Sequence, residues 1–307
     1  MHHVLTADRI RPEAAYPGHA SGYRRCALVD AAAGSVHTGF GLCAIDAGGR
    51  QDLHVHSHEE MFYILEGEPT LVLDGHGYPL MPGACGVVPV GVPHAWIGAK
   101  RGAAKWLDML APQPRDEDAG QHTFFVGPVG DFELGTLDIR DPRSRHFFRM
   151  ADDDIQVDKL KIGSRVNAPK VSASMATALL AYSGIAVKML VDSRLDAIMA
   201  NMFMVEYQPG GVAHPHDHPF EETYFFLEGE VEAVADGKKY ILKAGDLFWT
   251  GVGSVHAFYN TSGKTVRWLE TQSPQPPSRH SYRFARDWEY LAEKLGQPAE
   301  ARAPAAE

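Results

Sequence analysis

The chain has 307 residues, 45% of them hydrophobic and 22% charged, a balance that excludes global disorder and supplies either one large core or two ordinary ones. With 39 acidic against 29 basic side chains the net charge is −10, which argues against a surface that attracts nucleic acid. No run approaches the roughly 18 apolar residues of a membrane span, and the opening MHHVLTADRI lacks the cationic and apolar segments of a signal peptide, so a cytoplasmic protein without a membrane partner is expected.

Taken in chain order, the first part is a series of short strands bounded by turn residues: HTGFGLCAID, DLHVHS, EMFYILEGEPTLVLDG, YPLMPG, CGVVPV and HAWIG. The dipeptide Asp74-Gly75, set between apolar runs, marks a tight hairpin. Cys26, Cys43 and Cys85 are odd in number and form no C-x-x-C pair, so they read as small core residues and not as a disulfide framework. From about Arg115 to Arg165 the chain turns charged and rich in Pro and Gly. It still carries the strand-like pieces FELGTLDIR and DIQVDKLKI, which are expected to extend the sheets of one or both neighbouring domains. A short helix is predicted within 167–183, with Pro169 at an early position.

The strand pattern then returns. A constant shift of 162 residues superposes Gly48 on Gly210, His54 on His216, Gly67 on Gly229, Gly83 on Gly245 and His94 on His256, without an insertion. The shift extends outward to SGYRRCALVD against SGIAVKMLVD and to WLDMLAPQP against WLETQSPQP, and it carries the hairpin dipeptide to Asp236-Gly237. So long a period implies a duplicated domain with its own core in each copy, not a solenoid. The division expected is a first domain at 1–114, a structured connector at 115–164, a second domain at 165–295 and a disordered tail at 296–307. Many evenly spaced strands with few short helices imply an all-β protein of two closed barrels or jelly rolls, in which no sheet edge is left bare.

Sixteen histidines exceed ordinary structural need, and their placement is regular. Alternate side chains of a strand share a face, so His54 and His56 project together into the first barrel. Glu60 opens the next strand, and His94 arrives from a later one. His216, His218, Glu222 and His256 repeat the set in the second copy. Three imidazoles and a carboxylate form an N/O donor set for one divalent first-row metal per barrel. Fe and Mn lead, and Ni, Co, Cu and Zn are also compatible. By the same parity Phe62, Ile64 and Trp96 line the first cavity and Tyr224, Phe226 and Phe258 the second. His214 shares the parity of His216 and is read either as a proton carrier facing the second cavity or as an exposed loop residue. His58, Glu59 and Glu221, beside the ligands, read as solvated turn residues. The hydroxyl of Tyr224 and the amide of Asn260 make the second pocket the more polar, and it is favoured as the working site, with Glu222, Tyr224 and His214 as candidate catalytic groups.

Both segments resemble the cupin superfamily, whose motifs are G(X)5HXH(X)3-4E(X)6G and G(X)5PXG(X)2H(X)3N. The first copy departs only in Gly98, where the motif ends in Asn. The second keeps Asn260 and has Gly251 where the motif has Pro. The resemblance implies a bicupin of paired jelly-roll barrels with a metal pocket in each, and homo-oligomers built on the outer sheets. It implies a metal-dependent dioxygenase acting on a small enolizable or hydroxylated aromatic substrate. The alternatives are a non-redox hydrolase, lyase or isomerase similar to ureidoglycine aminohydrolase, and a small-molecule binding or storage protein. Three-histidine dioxygenases lack the carboxylate found here as Glu60 and Glu222, and the lid signature of oxalate decarboxylases is not recognised between the motifs.

Overall fold

The structure, a computed structural model, describes residues 1–115, 122–151, 154–155 and 183–275 and the backbone of 283–284. The predicted helix within 167–183, most of DIQVDKLKI and the tail at 296–307 lie outside the described residues. What is described is almost entirely strand, with single 3-10 turns such as Ala31–Ala33 and Ser193–Leu195. These two turns are duplicates: Asp30 caps the first by accepting from Ala32 and Ala33, and Asp192 caps the second by accepting from Arg194.

The two copies fold as two jelly-roll barrels. In the first, the strand Gly39–His56 runs the length of the barrel. Its first half pairs with Ala104–Ala111 and Ala20–Val29, and its second half with His94–Ile97 and Thr123–Gly127. In the second barrel the same stretch is divided into Asn201–Tyr207 and Val212–Asp217, broken at Gly210-Gly211.

Three cores result. One fills the first barrel with Phe62, Ile64, Trp96 and Trp106, and one fills the second with Tyr224, Phe226, Phe258 and Trp268. The third lies between the barrels, where Met61, Leu107 and Met109 meet Met202, Met204, Phe225 and Leu269. Strands such as Glu59–Glu66 are therefore buried on both faces, which explains why EMFYIL carries no polar alternation.

The described strands of the connector pair with the first barrel, while Arg145 and His146 reach Asp196 and the Leu195 carbonyl of the second. Thr123–Gly127 pairs with Gly39–His56, Phe147–Arg149 pairs with Ala84–Val88, and of FELGTLDIR only Glu133–Leu134 forms strand, parallel to His76–Pro79. The amino-terminal strand departs from the expected domain division. His2–Leu5 crosses over and pairs antiparallel with Leu247–Thr250 of the second barrel, the duplicate of the place that Phe147–Arg149 takes on the first. This crossing accounts for Gly251, whose N–H donates to the Met1 carbonyl at 3.0 Å, a bond that a proline could not make.

The barrels are clamped by a reciprocal pair of carboxylates. Glu59 accepts from the backbone N–H groups of Ile198 and Met199 at 2.6 and 3.0 Å. Its duplicate Glu221 accepts from Val36, His37 and Thr38 and from the Ser35 hydroxyl, with the Val36 bond at 2.7 Å. Both side chains are buried, which corrects the reading of them as solvated turn residues. A buried carboxylate is tolerated when backbone donors surround it.

Candidate metal centres

In the first barrel His54, His56, Glu60 and His94 bring one donor atom each within 4.8 Å of one another, and all four are buried. The backbone presets the imidazoles. His54 Nδ1 donates to the Asp52 carbonyl at 2.7 Å and His94 Nδ1 to the Val92 carbonyl at 2.9 Å, so both turn Nε2 inward. The Nε2 atoms of His56 and His94 lie 3.0 and 3.2 Å from Glu60 Oε2. Trp96 Nε1 holds the other oxygen, Oε1, at 3.2 Å. Burial alone would raise Glu60, yet the bonds from His56 and His94 outweigh it and hold the carboxyl well below the usual range. Burial, with His94 and His56 adjacent, keeps His54 well below its ordinary value and therefore neutral. Its Nε2 is buried and has no hydrogen-bond partner among the described residues. A bare, inward-facing lone pair in an N/O donor set fits a divalent first-row metal.

The second centre is arranged differently. His218, Glu222 and His256 come within 4.8 Å of one another, and His216 stands beside them with its ring centroid 4.4 Å from that of His256. The Nδ1 atoms of His216, His218 and His256 are each tied to a carbonyl, of His214, Phe220 and Ser254. The difference lies in Tyr224, the duplicate of Phe62. Its hydroxyl bonds to Glu222 Oε2 and lies 2.7 Å from His256 Nε2, the atoms a metal would take. Gln272 donates to the other oxygen of Glu222 at 2.6 Å. Opposing burial, the adjacent Glu222 carboxylate raises His218, whereas burial and the neighbouring His216 push His256 down to about 3. The close Glu270 carboxyl is raised well above its usual range by burial and by the charge of Glu222.

Three sequence expectations need correction. A bulge between Ala213 and His216 breaks the parity on which His214 was placed: Ala213 pairs with Phe258 in the core, and the His214 ring lies beside Tyr259 on the other face, 6.3 Å between centroids. What His214 gives the centre is its carbonyl. Asn260 does not reach the pocket, because its amide nitrogen donates to the carbonyls of Tyr207, Gln208 and Lys264. His58 is buried and stacked on His56 at 4.3 Å, as its duplicate Phe220 is on His218, and burial pushes it down to about 2.

The sequence reading also missed an ion pair in the first barrel, between the partly buried Arg25 and the buried Asp108. Arg25 donates to Asp108 through Nε at 2.6 Å and Nη2 at 2.8 Å, and the Cys43 thiol adds a bond to the same carboxylate at 3.2 Å. The first cavity is thus not purely apolar. A signal was present in the repeat, where Val187, Val205 and Phe203 stand at the duplicates of Arg25, Cys43 and Gly41.

Paired jelly-roll barrels, each with a buried group of histidines and a glutamate, define a two-centre barrel protein of the metal-binding type. The cupin domain family matches residues 41–110 and 203–271, one stretch in each barrel. The chain belongs to the cupin superfamily and, with two barrels in one polypeptide, is a bicupin. It is 24% identical over 232 residues to quercetin 2,3-dioxygenase of Bacillus subtilis, covering 69% of this chain and 67% of that enzyme. It is also 30% identical over 92 residues to the HTH-type transcriptional regulator PuuR of Escherichia coli, spanning about half (49%) of that regulator's length. Among solved structures it is similar to oxalate decarboxylase of Lactobacillus farciminis in a formate complex, at a TM-score of 0.64 and 16% identity, over 97% of this chain and 94% of that one. Oxalate decarboxylase of Bacillus subtilis, described with Mn(II) centres, matches at a TM-score of 0.61 and 14% identity, over 99% and 87%. The two buried His and Glu groups, with the similarity to a dioxygenase, support a metal-dependent bicupin enzyme. No helix among the described residues is long and apolar enough to cross a membrane.

Proposed function

We propose that the protein is a metal-dependent dioxygenase acting on a small hydroxylated aromatic or enolizable compound, with the first barrel as the metal-holding centre. The observation that carries this is the convergence of His54, His56, Glu60 and His94 with the Nε2 of His54 bare. That choice of barrel reverses the preference drawn from composition, because Tyr224 already occupies two of the inward donors of the second, Glu222 Oε2 and His256 Nε2. Similarity to quercetin 2,3-dioxygenase supports the oxidative reading. The N/O donors suit Fe or Mn, and the Mn(II) centres of the decarboxylase relative favour Mn. A small-molecule substrate and a cytoplasmic setting belong to the same proposal.

A divalent metal bound there would supply open coordination positions and Lewis-acid or redox chemistry to a chelating substrate oxygen. The chain's own contribution is preorganisation. The carbonyls of Asp52 and Val92 fix the tautomers of His54 and His94, Trp96 steadies Glu60, and Phe62 and Ile64 exclude water. In the second centre the Tyr224 hydroxyl and Glu222 form an acid–base pair that can pass a proton between Oη and Oε2.

The test is oxygen uptake by metal-loaded protein with a panel of hydroxylated aromatics. Turnover at an equal rate under anaerobic conditions would overturn the oxygenase reading. It would favour a hydrolase, lyase or isomerase, a second reading for which the hydrogen-bonded Tyr224–Glu222–His256 group argues. In either enzyme Glu222→Gln removes the carboxylate base of that group and lowers any turnover that depends on it.

A further inference from the structure

A cavity of 740 Å³ opens at the mouth of the first barrel, against the strand Thr123–Gly127. It adjoins the first centre without including its ligands. Thr123 Oγ1 lies 3.2 Å from His56 Nδ1 and 3.4 Å from the Tyr16 hydroxyl, and the Phe125 ring is centred 5.4 Å from that of His54. Its walls are aromatic: His19 stacks on Phe125 at 4.2 Å and 5°, and Tyr16 meets Phe125 edge-on at 5.3 Å. The cation among the lining residues is Arg25.

The duplication supplies an internal control on what that arginine is for. Arg25, Gly41, Cys43 and Tyr23 face the interior of the first barrel where the second has the apolar Val187, Phe203, Val205 and Ile185, while the duplicate of Asp108 is the buried Glu270, which accepts from Trp268 Nε1. The second barrel therefore keeps a buried carboxylate at this place and closes without the arginine. Gly41 makes room for the pair, since a Cβ there would stand 2.6 Å from both Arg25 Nη2 and Asp108 Oδ1. Asp108 engages Nε and Nη2 of the guanidinium, and no bond from Nη1 is made among the described residues. A largely buried pair contributes little stability over an apolar replacement, so the arginine's presence in one barrel calls for a use of the donors it leaves over.

We propose that this cavity binds a planar aromatic carboxylate, its ring against Phe125, His19 and Phe124 and its carboxylate taking N–H bonds from Arg25. Asp108 fixes the guanidinium plane and offsets its charge, so Arg25 acts through directed donors more than through net attraction. The inference deepens the dioxygenase reading by naming the substrate class of the first centre. It rests on that reading only for the fate of the ligand, not for its binding.

The experiment is titration calorimetry of the metal-loaded protein with 4-hydroxybenzoate and with its uncharged isostere 4-hydroxybenzamide. The carboxylate is expected to bind at least about tenfold more tightly. In R25V/D108L, which replaces the pair by apolar side chains, that preference should fall to near unity with the metal content unchanged. F125A should weaken both ligands together. Arg25→Lys keeps the charge pair but not the planar fork, and should retain only part of the preference. Equal affinity of the wild-type protein for the two ligands overturns the proposal without recourse to any variant, as does a preference that survives in R25V/D108L. Binding is read without turnover, so a failed oxygen-uptake assay and a failed titration are distinct results.

Discussion

At the residue scale one hydroxyl sets the donors of the second centre apart from those of the first. Phe62 and Tyr224 are duplicates on equivalent strands, and the added hydroxyl of Tyr224 ties Glu222 to His256. Tyr224→Phe should therefore raise metal occupancy of the second centre towards that of the first, measured as metal per chain after dialysis without chelators. An unchanged content would show that the hydroxyl does not compete. His56→Ala should empty the first centre alone and His218→Ala the second alone. Trp96→Phe, which removes the N–H that steadies Glu60, is expected to weaken metal binding in the first centre by about 10- to 100-fold. The candidate ligand positions were legible in the sequence because strand alternation and the H-x-H spacing operate over a few residues. Arg25 and Asp108 were not: they lie on different strands far apart in sequence, and only the closed barrel makes them partners.

At the scale of elements, local chemistry was read well and long-range pairing was not. Asp74-Gly75 and Asp236-Gly237 both adopt positive φ in two-residue hairpins, the conformation their side chains predict. The destination of His2–Leu5 could not be read, because a four-residue strand pairs equally well with any free edge of complementary register. Gly251→Pro would restore the superfamily motif yet remove the N–H bonded to Met1. It should lower stability by about 1 kcal/mol in urea denaturation. At the other departure, Gly98→Ala would set a Cβ 2.1 Å from the Asp46 carbonyl and should cost about 1–3 kcal/mol. Each motif departure thus has a local cause in chain packing and none touches a ligand.

At the scale of the whole molecule the barrels are coupled through a shared core and the Glu59 and Glu221 clamps. Removing one clamp strips a buried set of backbone N–H groups of their acceptor. Glu221→Ala should lower stability by about 1–3 kcal/mol, and Glu59→Ala by a comparable amount, in equilibrium denaturation.

Acid should act on the metal-free molecule as a whole. Burial holds His54 and His256 below the ordinary 6.5, so below that pH the unfolded chain binds more protons than the folded one and stability falls. Glu60, depressed in the folded state by His56 and His94 against burial, adds a further loss below about 4.5. His218, raised by Glu222 against burial, works in the opposite sense: its contribution is present below 6.5 and fades as pH rises through its folded value. Burial also holds His56, His58 and His216 down, and together these depressed histidines outnumber His218 and the raised Glu59 and Glu270, so the melting temperature in EDTA should drop from pH 7 to pH 4.5. A flat profile would contradict these assignments.

The sequence by itself determined the duplication, the all-β barrels and the eight candidate ligands. These rest on short-range periodicity and on residue spacing, which a linear chain carries in full. Only the tertiary structure decided which centre gathers four donors, where the first strand docks, that two turn glutamates bind the barrels together, and that one barrel holds an arginine at its mouth. Each of those depends on distances between strands remote in sequence, and such distances exist only once the sheets have closed.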